Sequence, residues 1–383
     1  MAADLHCHTK LSDGSVGIED LIVIAQKSGI ETIAITDHDC LAGTVRGQVI
    51  GKRYGVNVIP GVELSAFDNE AGKKVHILCY LADTPDRLEG LCKRTSVARK
   101  RAGQIMMLKV AARFPISTEF IIGHASGSTN LFKQHIMHAL MDAGYTDKIF
   151  GDLYYALFSP DSETNLLAPT KYPDVKEVID EIHGAGGIAV LAHPAFLDNY
   201  DEIENYIEMG LDGIEVWHPS ATDADVEMFA GVCKKHKLLM TGGSDFHGIY
   251  GSSTVTLGSC TTPDEQLDKL MGYKAKKKRA QRKAEKEAAK AEKEARKKEK
   301  LTSGERRSLI FMLMGLFFLF CGTNAISTFF ALFADEILHK TAAQATIMTT
   351  AFAAASAVAA IPAGWLGKKF GRKKTILGGL AIF

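Results

Sequence analysis

Asp4-Leu5-His6-Cys7-His8 stands at the head of the chain, and the placement of every later element follows from how it is read. On an extended segment side chains alternate, so His6 and His8 face one side and Cys7 the other. Two neutral imidazoles on one side of a strand can grip a single metal ion. An HxH triplet alone is a weak signal. Its weight comes from where the remaining histidines and carboxylates fall.

Residues 3–8 read as a first strand, followed by a loop carrying Ser12-Asp13-Gly14 and a helix over 18–28 that stops at Gly29. A second strand over 32–36 ends in Asp37-His38-Asp39. A helical stretch through Tyr54 leads to a third strand over 56–62 with Glu63 at its end, and a fourth spans 74–81 with His76 inside it. Residues 85–165 break the alternation with helical patterns at 88–110 and 131–143, and read as an insertion. The rhythm resumes with a helix over 174–183 and a buried strand over 188–192 that ends in His193-Pro194. Helices near 200–209 and 223–236 flank a strand over 213–217. A last strand over 238–241 runs into Gly242-Gly243-Ser244-Asp245-Phe246-His247-Gly248. About seven strands, largely separated by helices, predict an α/β fold with a parallel sheet. His6, His8, Asp13, His38, Glu63, His193, Asp245 and His247 all fall at or just after strand ends, the face where α/β barrels do chemistry. His76 is the exception.

The formal net charge is zero over 383 residues, but it averages three unlike parts. Residues 1–273 carry 23 basic and 37 acidic side chains, residues 274–300 carry 14 and 5, and residues 301–383 carry 8 and 3. An acidic first part is a poor non-specific nucleic-acid binder and suits a site that collects cations, so no specific DNA binding is expected. Seven cysteines without CxxC pairs, and no signal peptide at the start, fit a reduced cytosolic domain with free thiols. Cys7, turned away from its neighbours, is read as core.

Six histidines and three carboxylates thus converge: His6, His8, Asp13, His38, Glu63, His76, His193, Asp245 and His247. Nine ligands exceed the need of one ion and suit two or three ions sharing a carboxylate, with imidazole favouring Mn, Zn or Fe. Such clusters activate water and clamp the oxygens of a phosphate ester. The ordered motifs Asp-Leu-His-Cys-His-Thr, Thr-Asp-His-Asp, Gly-Val-Glu-Leu, the lone His76, Ala-His-Pro and Gly-Ser-Asp-Phe-His-Gly resemble those of the polymerase and histidinol phosphatase (PHP) family over about residues 1–270. The resemblance implies a distorted seven-stranded (βα) barrel with a helical insertion between the fourth and fifth strands. It further implies a trinuclear site: His6, His8, Glu63 and Asp245 on the first ion; Glu63, His76 and His193 on the second; Asp13, His38 and His247 on the third. A hydroxide held by Glu63 and Asp245 would attack phosphorus in line. Asp4, Asp37 and Asp39 are expected to orient imidazoles from behind. Arg99, Arg101 and His135 of the insertion fall near where stand-alone members carry phosphate-binding groups, although 93–101 also reads as a solvated helix face. His124, His138 and His183 read as surface or satisfied core histidines, and His218 as a possible supporting residue. The implied activity is hydrolysis of nucleotide or short-RNA phosphates, of the 3′,5′-nucleoside bisphosphatase or 5′–3′ exoribonuclease type. The alternatives are a histidinol-phosphate-type phosphatase, a non-catalytic scaffold, or a transporter fragment with a cytoplasmic PHP domain.

From 274 to 307 the chain reads as a basic, charged linker. Leu309–Ala334 is uncharged and long enough to span a bilayer, Ala342–Leu366 is a second such run, and Thr375–Phe383 begins a third. Basic residues before the first run and in the 368–374 loop place the first domain on the cytoplasmic side. Residues from about 305 to the end resemble the start of a major facilitator transporter, with Lys368 where that family usually has Asp. The expected organisation is therefore a cytoplasmic PHP domain (1–273), a linker (274–307) and a partial membrane segment (308–383) that anchors the chain if it inserts.

Overall fold

The computed structural model describes residues 2–251, 255–277, 303–337 and isolated positions between 341 and 350. The chain divides into two units, Met1–Ala280 and Gln281–Phe383.

In the first unit seven strands form one sheet in sequential order: β1 (Ala3–Cys7), β2 (Thr32–Ile35), β3 (Asn57–Asp68), β4 (Lys73–Tyr80), β5 (Ile188–Leu191), β6 (Gly213–Trp217) and β7 (Leu239–Gly242). Helix α1 (Ile18–Lys27) crosses between β1 and β2 and buries Ile18, Leu21, Ile22 and Ala25, one stripe at helical spacing. Helix α2 (Thr44–Tyr54) crosses between β2 and β3. Both strand pairs are parallel, as such crossovers require.

The middle of the sheet departs from the all-parallel expectation. β3 is twelve residues long and changes partner along its length. Its first residues pair with β2 in parallel, up to Ile35 opposite Pro60. From Gly61 onward it pairs antiparallel with β4. The reversal is made at Asp68, whose carboxylate accepts from Glu70 N and Ala71 N at 2.9 Å while Gly72 takes a φ of +68°. So tight a turn leaves no chain for a crossover helix. β4 and β5 are also antiparallel, and β5–β6 and β6–β7 are parallel again.

The sheet nearly closes on itself beyond β7. Phe246 N donates to His6 O at 3.3 Å, and His8 N donates to Phe246 O at 2.9 Å. Gly243 makes this seam possible: a Cβ there would lie 2.4 Å from His6 N. Leu5, Ala34, Ile59, Tyr80, Val190 and Leu239 come together from six of the seven strands, and Leu270 joins them from helix α11 (264–277). Cys7 packs instead with the α1 side, because β1 slips register between Asp4 and Cys7.

Between β4 and β5 lies the expected insertion. It contains α3 (Glu89–Arg113), α4 (Thr118–His124), α5 (Lys133–Asp142) and α6 (Asp152–Phe158). Met106, Val110, Ile121, Ile136, Leu140 and Leu157 give it a core of its own, shared with Tyr250. After it, α7 (Val175–Gly184), α8 (Pro194–Leu197), α9 (Ile203–Glu208) and α10 (Asp223–His236) cover the second half of the sheet. The beginning of the expected linker is not a tether. Residues 274–277 complete α11, where Lys274 donates to Leu81 O and Lys277 lies 3.0 Å from Asp212.

In the second unit α12 spans Ser303–Glu336. Among the described residues no helix is long and apolar enough to cross a membrane, so the span expected at 309–334 is not found there. Side chains of α12 are described without a break only over 303–318, where they are exposed. The 278–302 part of the expected linker, most of the expected second span, the 368–374 loop and the third apolar stretch lie outside the described residues, and residues 303–307 of that linker begin α12.

Candidate metal centre

The structure brings all nine candidate side chains to one end of the barrel. His6 Nε2 and His8 Nε2 lie 3.1 Å apart at the end of β1. Glu63 Oε2 approaches them at 3.2 and 3.1 Å, and Asp245 Oδ1 at 3.3 and 3.1 Å. The other oxygen of Glu63 meets His76 Nδ1 at 2.8 Å and His193 Nε2 at 2.9 Å, and these two nitrogens are 3.3 Å apart. Asp13 lies 3.7 Å from His38 Nε2, 3.4 Å from His247 Nε2 and 3.6 Å from His8 Nδ1. His38 Nδ1 is 3.1 Å from Glu63 Oε2, so Glu63 meets five imidazoles, those of His6, His8, His38, His76 and His193.

The reversed β4 explains the odd position of His76. In an antiparallel strand the early residues stand beside the late residues of its neighbours. His76 O accepts from Ala192 N just past the end of β5, which puts His76 beside His193. Glu63 likewise sits inside β3 rather than at its end, three residues past the last β2 partner. His193, Asp245 and Asp39 adopt left-handed backbone at φ 29°, 51° and 50°, conformations that non-glycine residues adopt only where the surroundings enforce them.

The charge pattern is that of a cation cage. Burial opposes ionisation of Glu63, yet the imidazoles of His38, His76 and His6 hold its carboxyl well below the usual range. Asp13 and Asp245 are likewise buried against ionisation and held down by the surrounding histidines. Burial disfavours charge on His8, but the carboxylates of Asp245 and Glu63 push it up to about 10. Burial drives His38 well down and lowers His76, with Glu63 only partly offsetting it. Asp13 Oδ1, His38 Nδ1, Glu63 Oε2 and Asp245 Oδ1 are buried without a hydrogen-bond partner. Orphaned atoms of this kind cost about 1–3 kcal/mol each unless something else satisfies them. Three compact ligand groups include these atoms' residues: His6, His8, Glu63 and Asp245; His8, Asp13, His38 and His247; and His38, Glu63 and His76. The donor set of imidazole and carboxylate fits transition-type divalent ions.

The supporting residues differ from expectation. Among the described residues Asp4, Asp37 and Asp39 make no hydrogen bond or ion pair with an imidazole ring. Asp4 accepts from Ser244 N and Gly258 N and ties β1 to the segments beyond β7. Asp37 accepts from Thr9 N and Ser12 Oγ at 2.8 and 2.6 Å and shapes the loop that carries Asp13. Asp39 accepts from Ser65 N and from Arg99 Nε at 3.0 and 3.1 Å. Glu215 is the carboxylate that holds an imidazole: it accepts from His6 Nδ1 at 2.9 Å and from His193 N at 2.8 Å. Its signal in the sequence is a single carboxylate inside the otherwise uncharged strand Gly213–Trp217. Gln134, like Glu215 not among the expected residues, donates to Asp13 at 3.2 Å. His218 Nδ1 accepts from Ser220 N, which leaves the proton on Nε2, 3.5 Å from Asp245 Oδ2.

Of the three residues expected to bind substrate, Arg99 and His135 lie inward and Arg101 does not. Arg99 pairs with Asp39 and donates to Ser65 Oγ, with its guanidinium over Phe132 and Tyr172 at 5.2 and 5.4 Å. Arg101 is exposed, since two residues along a helix is a turn of about 200°. His135 is buried, and burial pushes it down to about 4. Its Nδ1 accepts from Phe132 N, which leaves Nε2–H as donor. Burial, with the nearby charges of Lys74 and Arg99, lowers Lys133 to about 8. Lys74, Arg99 and Lys133 thus gather positive charge beside the acidic cage.

The PHP domain family model matches residues 4–188, and the Major Facilitator Superfamily model matches residues 312–383. A phosphoribosyl 1,2-cyclic phosphate 1,2-diphosphodiesterase of Eggerthella lenta is 37% identical over 254 residues, 66% of this chain and 96% of that protein. A 5′-3′ exoribonuclease of Haemophilus influenzae is 29% identical over 64% of this chain and 89% of its own length. The solved structure of a protein of Bifidobacterium adolescentis, described as a metal-dependent phosphoesterase, superposes with a TM-score of 0.64 at 30% identity. It covers 70% of this chain and 95% of that one.

Proposed function

The chain belongs to the PHP family, and from that premise we propose that it is a metal-dependent phosphoesterase acting on phosphate esters carried by ribose, as in nucleotides or short RNA. The observation that carries the reading is the set of buried, partnerless ligand atoms on Asp13, His38, Glu63 and Asp245, all aimed into one space. His6, His8, Glu63 and Asp245 would hold one divalent ion, Glu63, His76 and His193 a second, and Asp13, His38 and His247 a third. Such ions supply an acidified water and positive charge against phosphoryl oxygens. Manganese, zinc and iron suit the donors.

The chain's own groups supply the rest. Glu215 fixes the tautomer of His6 by accepting from Nδ1, which turns Nε2 toward the cage. Nε2–H of His218 faces Asp245 and steadies it. Arg99 and Lys133, with the Nε2–H of His135, present donors to a phosphate in the low-dielectric rim, where such contacts are strongest. Arg99 is preorganised by Asp39 and Ser65, so it loses little freedom on binding substrate. The activities for which the relatives are named share a phosphate on ribose, which favours that class over histidinol phosphate.

The test uses the full-length chain with manganese. Hydrolysis is followed for a phosphoribosyl 1,2-cyclic phosphate, a nucleoside 3′,5′-bisphosphate, a 5′-phosphorylated short RNA and histidinol phosphate, with and without chelator. Chelator-sensitive turnover of a ribose ester, lost in Asp245→Ala with the fold intact, is expected. Turnover of histidinol phosphate alone, or of none by a folded and metal-loaded protein, would refute the proposal.

The uncharged run 309–334 and the family match over 312–383 favour membrane association of the second unit, although no described helix there is long and apolar enough to cross a bilayer. Alkaline extraction of membranes checks this. Release of the chain into the supernatant would rule it out.

A further inference from the structure

A second group of ligand-type side chains lies outside the cage, in the insertion. His124 ends α4, and His138 and Asp142 stand four residues apart on one face of α5. One imidazole nitrogen from each histidine and a carboxylate oxygen of Asp142 all lie within 4.8 Å of one another. His124 Nδ1 is 2.9 Å from Phe120 O. A carbonyl oxygen only accepts, so Nδ1 carries a proton. Nε2 stands 2.9 Å from Asp142 Oδ2, a pair that either a second proton on the ring or a bound cation joins. A proton would make this a plain ion pair. It would leave unexplained why the other oxygen, Oδ1, is turned toward His138 Nε2 at 3.7 Å. It would also leave unexplained why His138 Nδ1 is engaged from behind by Tyr250 OH at 2.9 Å, as metal-ligating imidazoles usually are.

We propose that His124, His138 and Asp142 form a separate site for one zinc-class ion, joining α4 to α5. Tetrahedral bonds of about 2.0–2.1 Å place ligand atoms about 3.3–3.4 Å apart, between the two separations found. Three protein ligands leave a fourth position for water, and Asp142 is half exposed on that side. Two imidazoles with one carboxylate match zinc rather than magnesium or calcium. The site also reaches the main centre: Tyr250, which braces His138, is three residues beyond His247. An ion here would therefore hold the insertion's inner helices and the 247–250 segment in one arrangement.

The full-length chain is stripped with chelator, saturated with manganese and dialysed against micromolar zinc, and manganese plus zinc per chain is counted by mass spectrometry. Counting both metals cancels exchange of zinc for manganese in the main centre. Wild type should hold one ion more per chain than His124→Gln or Asp142→Asn, both checked for folding by circular dichroism. Tyr250→Phe should keep the ion but weaken zinc binding about 10–100-fold. Zinc should also raise the thermal midpoint of manganese-saturated wild type, a readout that needs no variant. Equal metal counts in wild type and the folded variants, or no zinc-dependent shift in wild type, would overturn the proposal and leave His124–Asp142 an ion pair.

Discussion

Replacing Glu215 by Gln removes one charge and almost no volume, yet it cannot be silent. Both carboxylate oxygens are in use: one accepts from His6 Nδ1 at 2.9 Å and the other from His193 N at 2.8 Å. Glutamine offers one acceptor and one donor, so its amide NH2 must face one of those two N–H groups. Neither has water to turn to, since Glu215 is 1% exposed and His6 is fully buried. A buried donor left facing a donor costs about 1–3 kcal/mol. If the amide oxygen stays on His193 N, the His6 ring keeps only the longer 3.2 Å contact to that oxygen and faces the amide NH2 in place of its 2.9 Å acceptor. Metal affinity at the His6–His8 cluster then falls about 10–100-fold, or about 1.4–2.8 kcal/mol. If the oxygen stays on His6, the backbone at His193 loses its partner in a left-handed conformation, and the loss appears in folding stability. The two routes are separated by urea unfolding of the metal-free protein and by a competition titration with manganese. Glu215→Asp keeps the charge and isolates the effect of reach. A Glu215→Gln protein with manganese affinity within twofold of wild type and an unchanged urea midpoint would refute the reasoning.

Three further outcomes follow from the geometry. Gly243→Ala should open the β7–β1 seam, because its Cβ would meet His6 N at 2.4 Å; a loss of at least about 1–3 kcal/mol in urea unfolding is expected, and an unaltered midpoint would count against the closure described. Burial opposes ionisation of Asp212, but bonds from His183, Ala189 N and Tyr273 depress it to about 2. Its contribution of about 2 kcal/mol is complete above the unfolded value near 3.8 and fades as pH falls toward 2, so Asp212→Asn should destabilise at pH 7 and converge on wild type only below about pH 2. With His8 raised to about 10 and His6 raised well above its ordinary value, both imidazoles carry protons before metal enters. Metal binding must release those protons, so affinity should rise with pH between 6.5 and 8.5, by up to about 100-fold per unit for two protons, and a flat profile by competition titration would contradict the cage electrostatics.

Most of the nine converging residues were legible as ligand-type side chains at or just past a strand end, where apolar periodicity stops, while His76 and Glu63 stand inside β4 and β3. The seven strands were legible from their buried runs. The direction of β4 was not, because polar Ser65 and Asp68 made β3 look shorter than it is and hid the turn that reverses the chain. Glu215 was hidden by the strand around it, since a carboxylate in an apolar run reveals its partner only in three dimensions. Arg99 and Arg101 look equivalent in sequence, and only helical phase separates the buried one from the exposed one. The helical end of α11 was masked by composition: Lys274 and Lys277 read as linker until Leu81 O and Asp212 are seen to hold them.

The seam between β1 and the segment beyond β7 sets a clock on the centre. Ser244 donates to Asp4 across 240 positions of chain, and the same seam carries Asp245 to His6 and His8 and stacks His247 on His8. At about 5–20 residues per second, a ribosome needs about 10–50 seconds after making the first histidines to deliver these last side chains. During that interval the growing chain holds His6, His8 and Glu63 but neither Asp245 nor His247, so an ion taken up early would meet an incomplete set of ligands. In the proposed metal centre the full ligand set and the closed barrel would arrive together.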